Sequence, residues 1–310
     1  MLKWNQIKII NNNNNFLTEQ RNCPICDGSS NNSFISFESF QFYTDDITNS
    51  KQVEIKEVQC LKCGALFLNP CYSNNGFEVL FKEASASYSH KKDLCKERID
   101  WLKKNSLLGT NKRIMDIGCS QGDFLKALPR HLNKTGVDID RIAIDIARKE
   151  NSNIEFIYSD FTSISYSNQI DLITMFHTLE HLPEPKSFLK ALYKIASQDT
   201  KLIIEVPILE KGKTNDINGF FSVMHLTHFT KESLHEILAL SGWKIINTKE
   251  FNSINSYRLL LEKSKLGVNK DCIDNNKLKL YSYLKHWYNE LYKVESKIIN
   301  NISNINSKCI

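Results

Sequence analysis

Two glycines and three aspartates in neighbouring segments have the types and spacing of a nucleotide-binding site. In IMDIGCSQGDFL a β-rich stretch ends on Asp116, a loop holds Gly118 and Gly122, and a helix is predicted from Asp123. A second predicted strand, in TGVDID, ends on Asp138. The glycines allow a tight turn close to a ligand, and the carboxylate of Asp138 can accept hydrogen bonds from both ribose hydroxyls. The pattern predicts an adenosine-like cofactor.

Two other families use a similar loop. A dinucleotide fingerprint reads GxGxxG, but position 120 is Ser and the third glycine is absent, which disfavours NAD. GCSQG also fits the GxSxG elbow of α/β-hydrolases, with Ser120 as the nucleophile. An elbow needs several preceding strands and an oxyanion loop, and the preceding hundred residues hold cysteine pairs instead. The hydrolase interpretation is therefore disfavoured.

The segment resembles the class I S-adenosylmethionine-dependent methyltransferases in its DIGCSQG loop and GVDID strand, and the resemblance covers about residues 110–263. It implies an α/β fold with a Rossmann-like seven-stranded sheet and S-adenosylmethionine as the cofactor. IEFIYSDF is similar to the family's third strand, which implies that Asp160 and Phe161 contact the adenine. DLITMFHTLEHLPEP is similar to the fourth strand and its loop, which adds Phe176 and His177 to the cofactor site.

Four of the nine cysteines form two CxxC pairs, which is the spacing of zinc knuckles. Cys23 and Cys26 lie in RNCPICDG, and Cys60 and Cys63 lie in VQCLKCGALF. Two intervening residues bring both thiolates of a pair to one cation. The alternative is two disulfides or four unrelated core cysteines, which a reducing cytosol disfavours. Four thiolates leave no open coordination position, so we expect a structural Zn²⁺ ion.

Four histidines lie in loops that follow predicted strands. His177 and His181 follow the fourth strand, where open α/β sheets bind ligands, and His225 and His228 follow the fifth. A general base assists attack by a hydroxyl of high pKa, and histidine suits this role near neutral pH. We rank His225 first and His181 second as the base, with Glu180 orienting a histidine or a substrate hydroxyl. Taken singly, each histidine is as well explained by a hydrogen bond to loop backbone.

The spans FHTLEHLPEP and MHLTHFTKESLHEIL resemble zinc-ribbon methyltransferases that act on nucleotide-linked sugars and other small metabolites. The first span is also similar to ubiquinone-type O-methyltransferases. Ketosugar C-methyltransferases of this group carry Glu-His at the second span, whereas Met224 precedes His225 here. The resemblance therefore implies oxygen methylation of a nucleotide sugar or glycan precursor ahead of carbon methylation.

The chain divides into four predicted parts: a zinc-binding module at 1–75, linking helices at 76–109, the methyltransferase domain at 110–263 and a helical extension at 264–310. Apolar residues in the extension recur every three or four positions, which predicts one apolar stripe along a helix. Packing within the chain is favoured over a homodimer contact. The stripe consists of Leu280, Leu284, Trp287, Leu291, Val294, Ile298 and Ile302.

Composition fits a cytoplasmic protein without a membrane span. The 310 residues carry 40 Lys and Arg against 35 Asp and Glu, a net charge of +5 that does not demand nucleic acid as a partner. Two further hypotheses remain open. The module could read RNA, although its acidic residues argue against this. The fold could also serve as a non-catalytic interaction module that binds the cofactor without turnover.

Overall fold

The computed structural model describes residues 17–41, 52–73, 75–77, 92–159, 169–211, 224–251 and 255–264, and five single residues between 285 and 296. In these ranges no helix combines the length and the apolar character that a bilayer crossing requires. The predicted adenine contacts Asp160 and Phe161 lie outside the described residues.

The described residues form thirteen strands and five helices of four residues or more. The strands are β1 Thr18–Glu19, β2 Asn31–Gln41, β3 Gln52–Cys60, β4 Leu66–Leu68, β5 Cys71–Tyr72, β6 Arg113–Ile117, β7 Asn133–Asp138, β8 Glu155–Tyr158, β9 Leu172–Phe176, β10 Lys201–Val206, β11 Thr227–His228, β12 Trp243–Glu250 and β13 Tyr257–Lys263. The helices are α1 Lys92–Lys104, α2 Asp123–Ala127, α3 Arg141–Glu150, α4 Pro185–Ile195 and α5 Lys231–Leu240.

Seven strands form one sheet in the order β12-β13-β10-β9-β6-β7-β8. Neighbours from β10 to β8 pair in parallel, and β13 runs antiparallel between β10 and β12. The strand order reverses between β6 and β9, and ligands of open α/β sheets bind at the carboxyl ends of the strands at such a point. The predicted Rossmann-like, seven-stranded methyltransferase fold is confirmed.

The central strands are apolar and buried along nearly their whole length. β9 is buried in four of its five residues and β10 in five of its six. Such runs are typical of parallel strands that helices cover on both faces. Local caps then fix where the helices begin. The Asp140 carboxylate accepts hydrogen bonds from the backbone of Ile142 and Ala143 at the start of α3, and Thr230 and Ser233 form a reciprocal cap on α5.

The predicted nucleotide loop follows β6 and requires glycine at two positions. Gly118 has φ +75°, and a Cβ atom there would lie 2.2 Å from the Oγ1 atom of Thr178. Gly122 has φ +78°, and its Cβ would lie 2.5 Å from the Cζ atom of Phe156. A side chain at either position would meet both backbone strain and a steric clash.

A second sheet, in the order β11-β4-β3-β2, carries two of the CxxC cysteines at its β3–β4 turn. Its strands β2, β3 and β4 come from the predicted module at 1–75. The fourth strand, β11, comes from the loop between β10 and α5 of the methyltransferase domain. Nothing in the local sequence indicates this pairing. Thr227 and His228 pair with Phe67 and Leu66, so a segment from the loop that follows β10 completes the sheet of the module.

The two sheets also share one hydrophobic core. A single cluster of buried residues runs from Cys23, Cys60 and Cys63, through residues of the small sheet, to the central strands β9 and β10. Burial of apolar surface stabilises by about 25 cal/mol per Å². The module is therefore packed onto the main sheet and is not joined to it by a tether alone.

Two further predicted segments are only partly described. Helix α1 lies within the segment predicted as linking helices. All seven residues of the predicted C-terminal stripe lie outside the described residues. Five other residues of that extension are helical, so the single helix stays a prediction. They are Lys285, Asn289, Tyr292, Lys293 and Ser296.

Candidate active site

Asp138 ends β7 and organises the nucleotide loop through its carboxylate. Its Oδ2 atom accepts a hydrogen bond from the backbone N–H of Ser120 at 2.7 Å, and Oδ1 accepts one from that of Asp140 at 2.9 Å. Burial raises the pKa of this carboxyl above its ordinary value. Each oxygen retains a lone pair, so the group can still accept hydrogen bonds from ribose hydroxyls.

Asp116 lies beneath the same loop at the end of β6. Its side chain is buried, and the Thr174 hydroxyl donates to Oδ1 at 2.6 Å. Burial raises the pKa of Asp116 to about 7. Asp116, which was predicted to bind the cofactor, is therefore buried two residues before the start of the glycine loop.

Arg98 was missed by the sequence analysis, because nothing in the pattern of helix α1 distinguishes it from a surface arginine. Its guanidinium carbon lies 4.1 Å from the centre of the Phe176 ring, and its Nη2 donates to Glu205 Oε1 at 2.8 Å. The Nε atom is buried and has no hydrogen-bond partner among the described residues. Its positive charge also favours the ionised form of Asp116. Arg98 is thus a cation with a free donor at the edge of the predicted cofactor site.

His177 lies between two buried carboxylates. Its Nδ1 is 3.3 Å from Glu180 Oε1, and its Nε2 is 3.3 Å from Glu205 Oε1. Burial alone would lower the pKa of this ring, but the two carboxylates raise it to about 9. The backbone of His177 has φ +55°, a conformation that non-glycine residues rarely adopt and that often occurs at functional sites. The His177 ring, which we expected to contact the cofactor, is therefore partly exposed, and with a pKa of about 9 it is protonated near neutral pH.

Glu180 stands at the centre of the histidine cluster. Its carboxylate is fully buried, and neither oxygen accepts a hydrogen bond from the described residues. Burial would raise its pKa, but His177, His181 and His225 together hold that pKa below its ordinary value. The group is therefore an anion, and the His177 ring, 3.3 Å from its Oε1 atom, balances its charge.

His181 and His225, the two predicted bases, lie together beside Glu180. Their ring centres are 4.9 Å apart, and His181 Nε2 is 3.9 Å from Glu180 Oε1. Because a carbonyl only accepts, His181 Nδ1 donates its proton to Met224 O at 2.7 Å, so Nε2 is the nitrogen that carries the lone pair in the neutral ring. Both rings are partly exposed. The structure thus brings the three predicted catalytic residues into one cluster.

His228 has a different environment from the other three histidines. It is buried, and its Nε2 lies 2.6 Å from Oε1 of Glu57 in strand β3. This ring joins the small sheet to the loop that carries His225. Because it is buried, it cannot contact a methyl-accepting substrate that binds from solvent.

The four CxxC cysteines converge as predicted. All four sulfur atoms lie within 4.8 Å of one another, and the pairs Cys23–Cys63 and Cys26–Cys60 are 3.6 Å apart. A disulfide needs about 2.05 Å, whereas a tetrahedral zinc site with 2.3 Å bonds gives sulfur separations of about 3.8 Å. Gly64, with φ +77°, follows the second pair. The donor set fits Zn²⁺.

The charge of His177 makes a prediction about pH. Its folded-state pKa of about 9 lies above the value of about 6.5 in an unfolded chain. Its stabilising contribution should therefore be complete below about pH 6.5 and disappear as the pH rises through 9. Histidine NMR should show the ring titrating near pH 9, and at lower pH in Glu180→Gln. The exposed His131 ring is the internal reference. A His177 midpoint below 7.5 in the wild type would contradict the assignment.

Comparison with known proteins agrees with this geometry. The family described as "Methyltransferase domain" matches residues 88–248. The ubiquinone biosynthesis O-methyltransferase of Aeromonas salmonicida is 30% identical over 116 residues, 34% of this chain and 48% of that protein. The enzyme of the same name from Erwinia tasmaniensis is 29% identical over 149 residues, 45% of this chain and 60% of its own. The chain thus spans about half the length of these relatives.

Two solved methyltransferase structures align with about three fifths of this chain. An S-adenosylmethionine-dependent methyltransferase from Clostridium acetobutylicum aligns with a TM-score of 0.47 at 12% identity, over 61% of this chain and 98% of that one. Magnesium protoporphyrin IX methyltransferase from Synechocystis, with bound SAH, gives 0.45 at 16% identity, over 62% and 95%. The family match spans more than half of the chain, and the seven-stranded sheet has the strand order described above. The chain belongs to the methyltransferase domain family and has the class I fold.

Proposed function

We propose that the protein transfers the methyl group of S-adenosylmethionine to a hydroxyl oxygen of a small polar acceptor. The observation that carries the proposal is the cluster of Glu180, His181 and His225 at the carboxyl end of β9, next to the glycine loop. Methyl transfer from a sulfonium requires in-line attack, and correct positioning supplies much of the acceleration.

The cofactor half of the proposal gives each residue a role. Asp138 would bind the ribose hydroxyls, and Gly118 and Gly122 would let the loop backbone approach the ligand. The positive charge of Arg98 beside Phe176 suits the carboxylate of the methionine moiety, since a guanidinium binds carboxylates well. Phe176, which packs edge to face on Phe124 at 4.8 Å, forms an apolar wall. Asp160 and Phe161 stay predictions as adenine contacts.

The acceptor half depends on which histidine can take a proton. A general base must be neutral at the working pH, and His177 is protonated up to about pH 9. His228 is buried against Glu57. His225 and His181 Nε2 remain, and we retain His225 as the first choice. The anionic Glu180 would then stabilise the imidazolium that forms when the hydroxyl proton is taken.

The acceptor class rests on relatives. Two of them are named as O-methyltransferases of ubiquinone biosynthesis, which supports attack by oxygen. The nucleotide sugar or glycan precursor inferred from the sequence stays a prediction, and so do carbon methylation, RNA modification and a non-catalytic role. A panel of phenols, catechols and nucleotide sugars, tested with radiolabelled S-adenosylmethionine, would separate these classes.

The same cluster could also hold a cation, because Glu180, His181 and His225 place ligand atoms within 4.8 Å of one another. The cationic His177 ring, 3.3 Å from Oε1 of Glu180, already balances that carboxylate. We therefore favour transfer of the acceptor's hydroxyl proton to a histidine over activation of the acceptor oxygen by a bound metal ion.

The cofactor site is tested by Asp138→Ala. Loss of hydrogen bonds to a charged acceptor costs about 1.5–3 kcal/mol, so the affinity for S-adenosylhomocysteine should fall by roughly 10-fold to 150-fold. Asp145→Ala, on the exposed face of α3, is the matched control. Calorimetry measures both variants, with NAD as the negative ligand. An Asp138→Ala protein that binds as tightly as wild type would refute the role.

The base is tested by His225→Gln once an acceptor has been found. We expect kcat to fall by about 10²-fold to 10⁴-fold while the affinity for S-adenosylhomocysteine stays within about twofold. His131→Gln is the exposed control. A kcat near the wild-type value would exclude His225. Loss of turnover on mild chelation that spares the cysteine-bound zinc would favour the cation instead.

We also propose that Cys23, Cys26, Cys60 and Cys63 bind one structural Zn²⁺ ion per chain. Elemental analysis of the purified wild type should find one equivalent of zinc, and Cys60→Ser should lose it. Cys95→Ser is the matched control, because Cys95 lies in α1 outside the cluster. Wild-type protein purified without zinc would overturn this assignment.

A further inference from the structure

The loop that carries His225 is held by the cysteine module on one side. Strand β11 pairs with β4, and the backbone N–H of Leu68 donates to Leu226 O at 3.0 Å. These contacts begin at the residue next to His225. The backbone conformation at the proposed base is therefore set by residues about 160 positions earlier in the chain.

Two side chains of the module, the buried Glu57 and the partly buried Arg21, strengthen this attachment. Glu57 in β3 lies 2.6 Å from His228, and both side chains are at most 1% exposed. Arg21 reaches across the junction, where its Nε donates to Leu68 O at 3.0 Å, Nη1 donates to Pro183 O at 2.7 Å and Nη2 donates to Leu226 O. The guanidinium thus joins β4, the segment before α4 and the His225 loop.

The methyltransferase domain holds the opposite side of the loop. The backbone N–H of Leu226 donates to Glu180 O at 2.8 Å, and His181 Nδ1 donates to Met224 O at 2.7 Å. His225 therefore lies between contacts to the proposed catalytic cluster and contacts to the module. A shift of the module would move His225 relative to Glu180.

The cysteines connect this attachment to metal binding. Cys60 ends strand β3, three residues after Glu57, and Cys63 lies three residues before β4. Two thiolates of the cluster therefore close the β3–β4 hairpin on which β11 is paired. Because metal binding is coupled to folding, a bound ion would contribute free energy to the order of this hairpin.

We propose that the zinc module is part of the catalytic machinery, with Arg21 and Glu57 as positioning residues that act through His225. Zinc occupancy then governs turnover and the environment of His225, and it leaves S-adenosylmethionine binding intact. The inference rests on the proposed function and adds a role for the module that its four thiolates alone do not indicate. The cofactor loop contacts neither Arg21 nor Glu57 in the hydrogen bonds described above.

The first test is Glu57→Gln, which removes the charge opposite His228 and keeps the shape. Misplacement of a reacting group by about 1 Å can cost roughly 10²-fold in rate, so we expect kcat to fall by one to two orders of magnitude. The pH profile of kcat should also shift, whereas zinc content and the affinity for S-adenosylhomocysteine should stay at wild-type values. Glu19→Gln, at an exposed position of the same module, is the control.

A readout independent of turnover comes from histidine NMR. The His225 signal, assigned through His225→Gln, should move in Glu57→Gln and stay in place in Glu19→Gln. Should Glu57→Gln fail to fold or lose zinc, Arg21→Lys provides the second variant with the same expectations. An unmoved His225 signal, or an unchanged kcat, in a zinc-loaded variant would overturn the inference.

Metal removal is the second test. Stripping zinc with a chelator should abolish turnover and move the His225 signal, and S-adenosylhomocysteine should still bind. Restoring Zn²⁺ should reverse both changes. Loss of cofactor binding together with turnover would overturn the inference and leave zinc a purely structural role. Wild-type protein that binds cofactor but methylates no acceptor would instead count against the proposed function, while the NMR result still decides the positioning role.

Discussion

The pairing of β11 with β4 is the contact on which the proposed acceptor site depends. It makes a two-residue segment of the methyltransferase domain the fourth strand of the module's sheet. The hydrogen bond from Leu68 to Leu226, the buried Glu57–His228 pair and the three hydrogen bonds of Arg21 lie at the same junction. The glycine loop, by contrast, connects β6 and α2, which follow one another directly in the chain.

A second constraint lies under the cofactor site, where several charges are buried together. Arg258 is fully buried in β13, and its Nε donates to Glu205 Oε2 at 2.6 Å. Glu205 also contacts Arg98 and His177. Buried charges are tolerated only when they are paired, and loss of one partner typically costs about 3–5 kcal/mol. Glu205 belongs to this network and, together with Glu180, raises the pKa of His177 to about 9, which is why the proposed base is a neighbouring histidine.

Local spacing was enough to predict much of the fold and half of the site. The glycine loop, the acid at Asp138 and the two CxxC pairs are each encoded within a few residues, and each reports a backbone requirement or a ligand set. The predicted sheet is confirmed by the topology, and Glu180, His181 and His225 lie close together, although their catalytic roles stay a proposal.

Contacts that join distant parts of the chain could not be predicted in this way. Glu57 and His228 are 171 positions apart, and although His228 lies in the MHLTHFTKESLHEIL span, nothing in that span or around Glu57 indicates that the two side chains meet. Arg98 has the appearance of a solvated helical arginine until β10 brings Glu205 against it. The resemblance of the fourth strand and its loop assigned His177 to the cofactor site, but its two carboxylate neighbours become visible only once β9, β10 and the turn at Glu180 are assembled. In each case tertiary pairing, and not local propensity, decides the role of the residue.

Hydrogen exchange of zinc-loaded and zinc-stripped protein shows whether the metal orders the loop that carries His225. We expect zinc removal to expose the amides of residues 66–68 and 226–229 to exchange, while β6 and β10 of the main sheet keep their protection. This result would mean that the metal holds the loop that carries His225 without holding the cofactor site. Unchanged protection at 226–229, or loss of protection throughout the main sheet, would mean that zinc does not position His225.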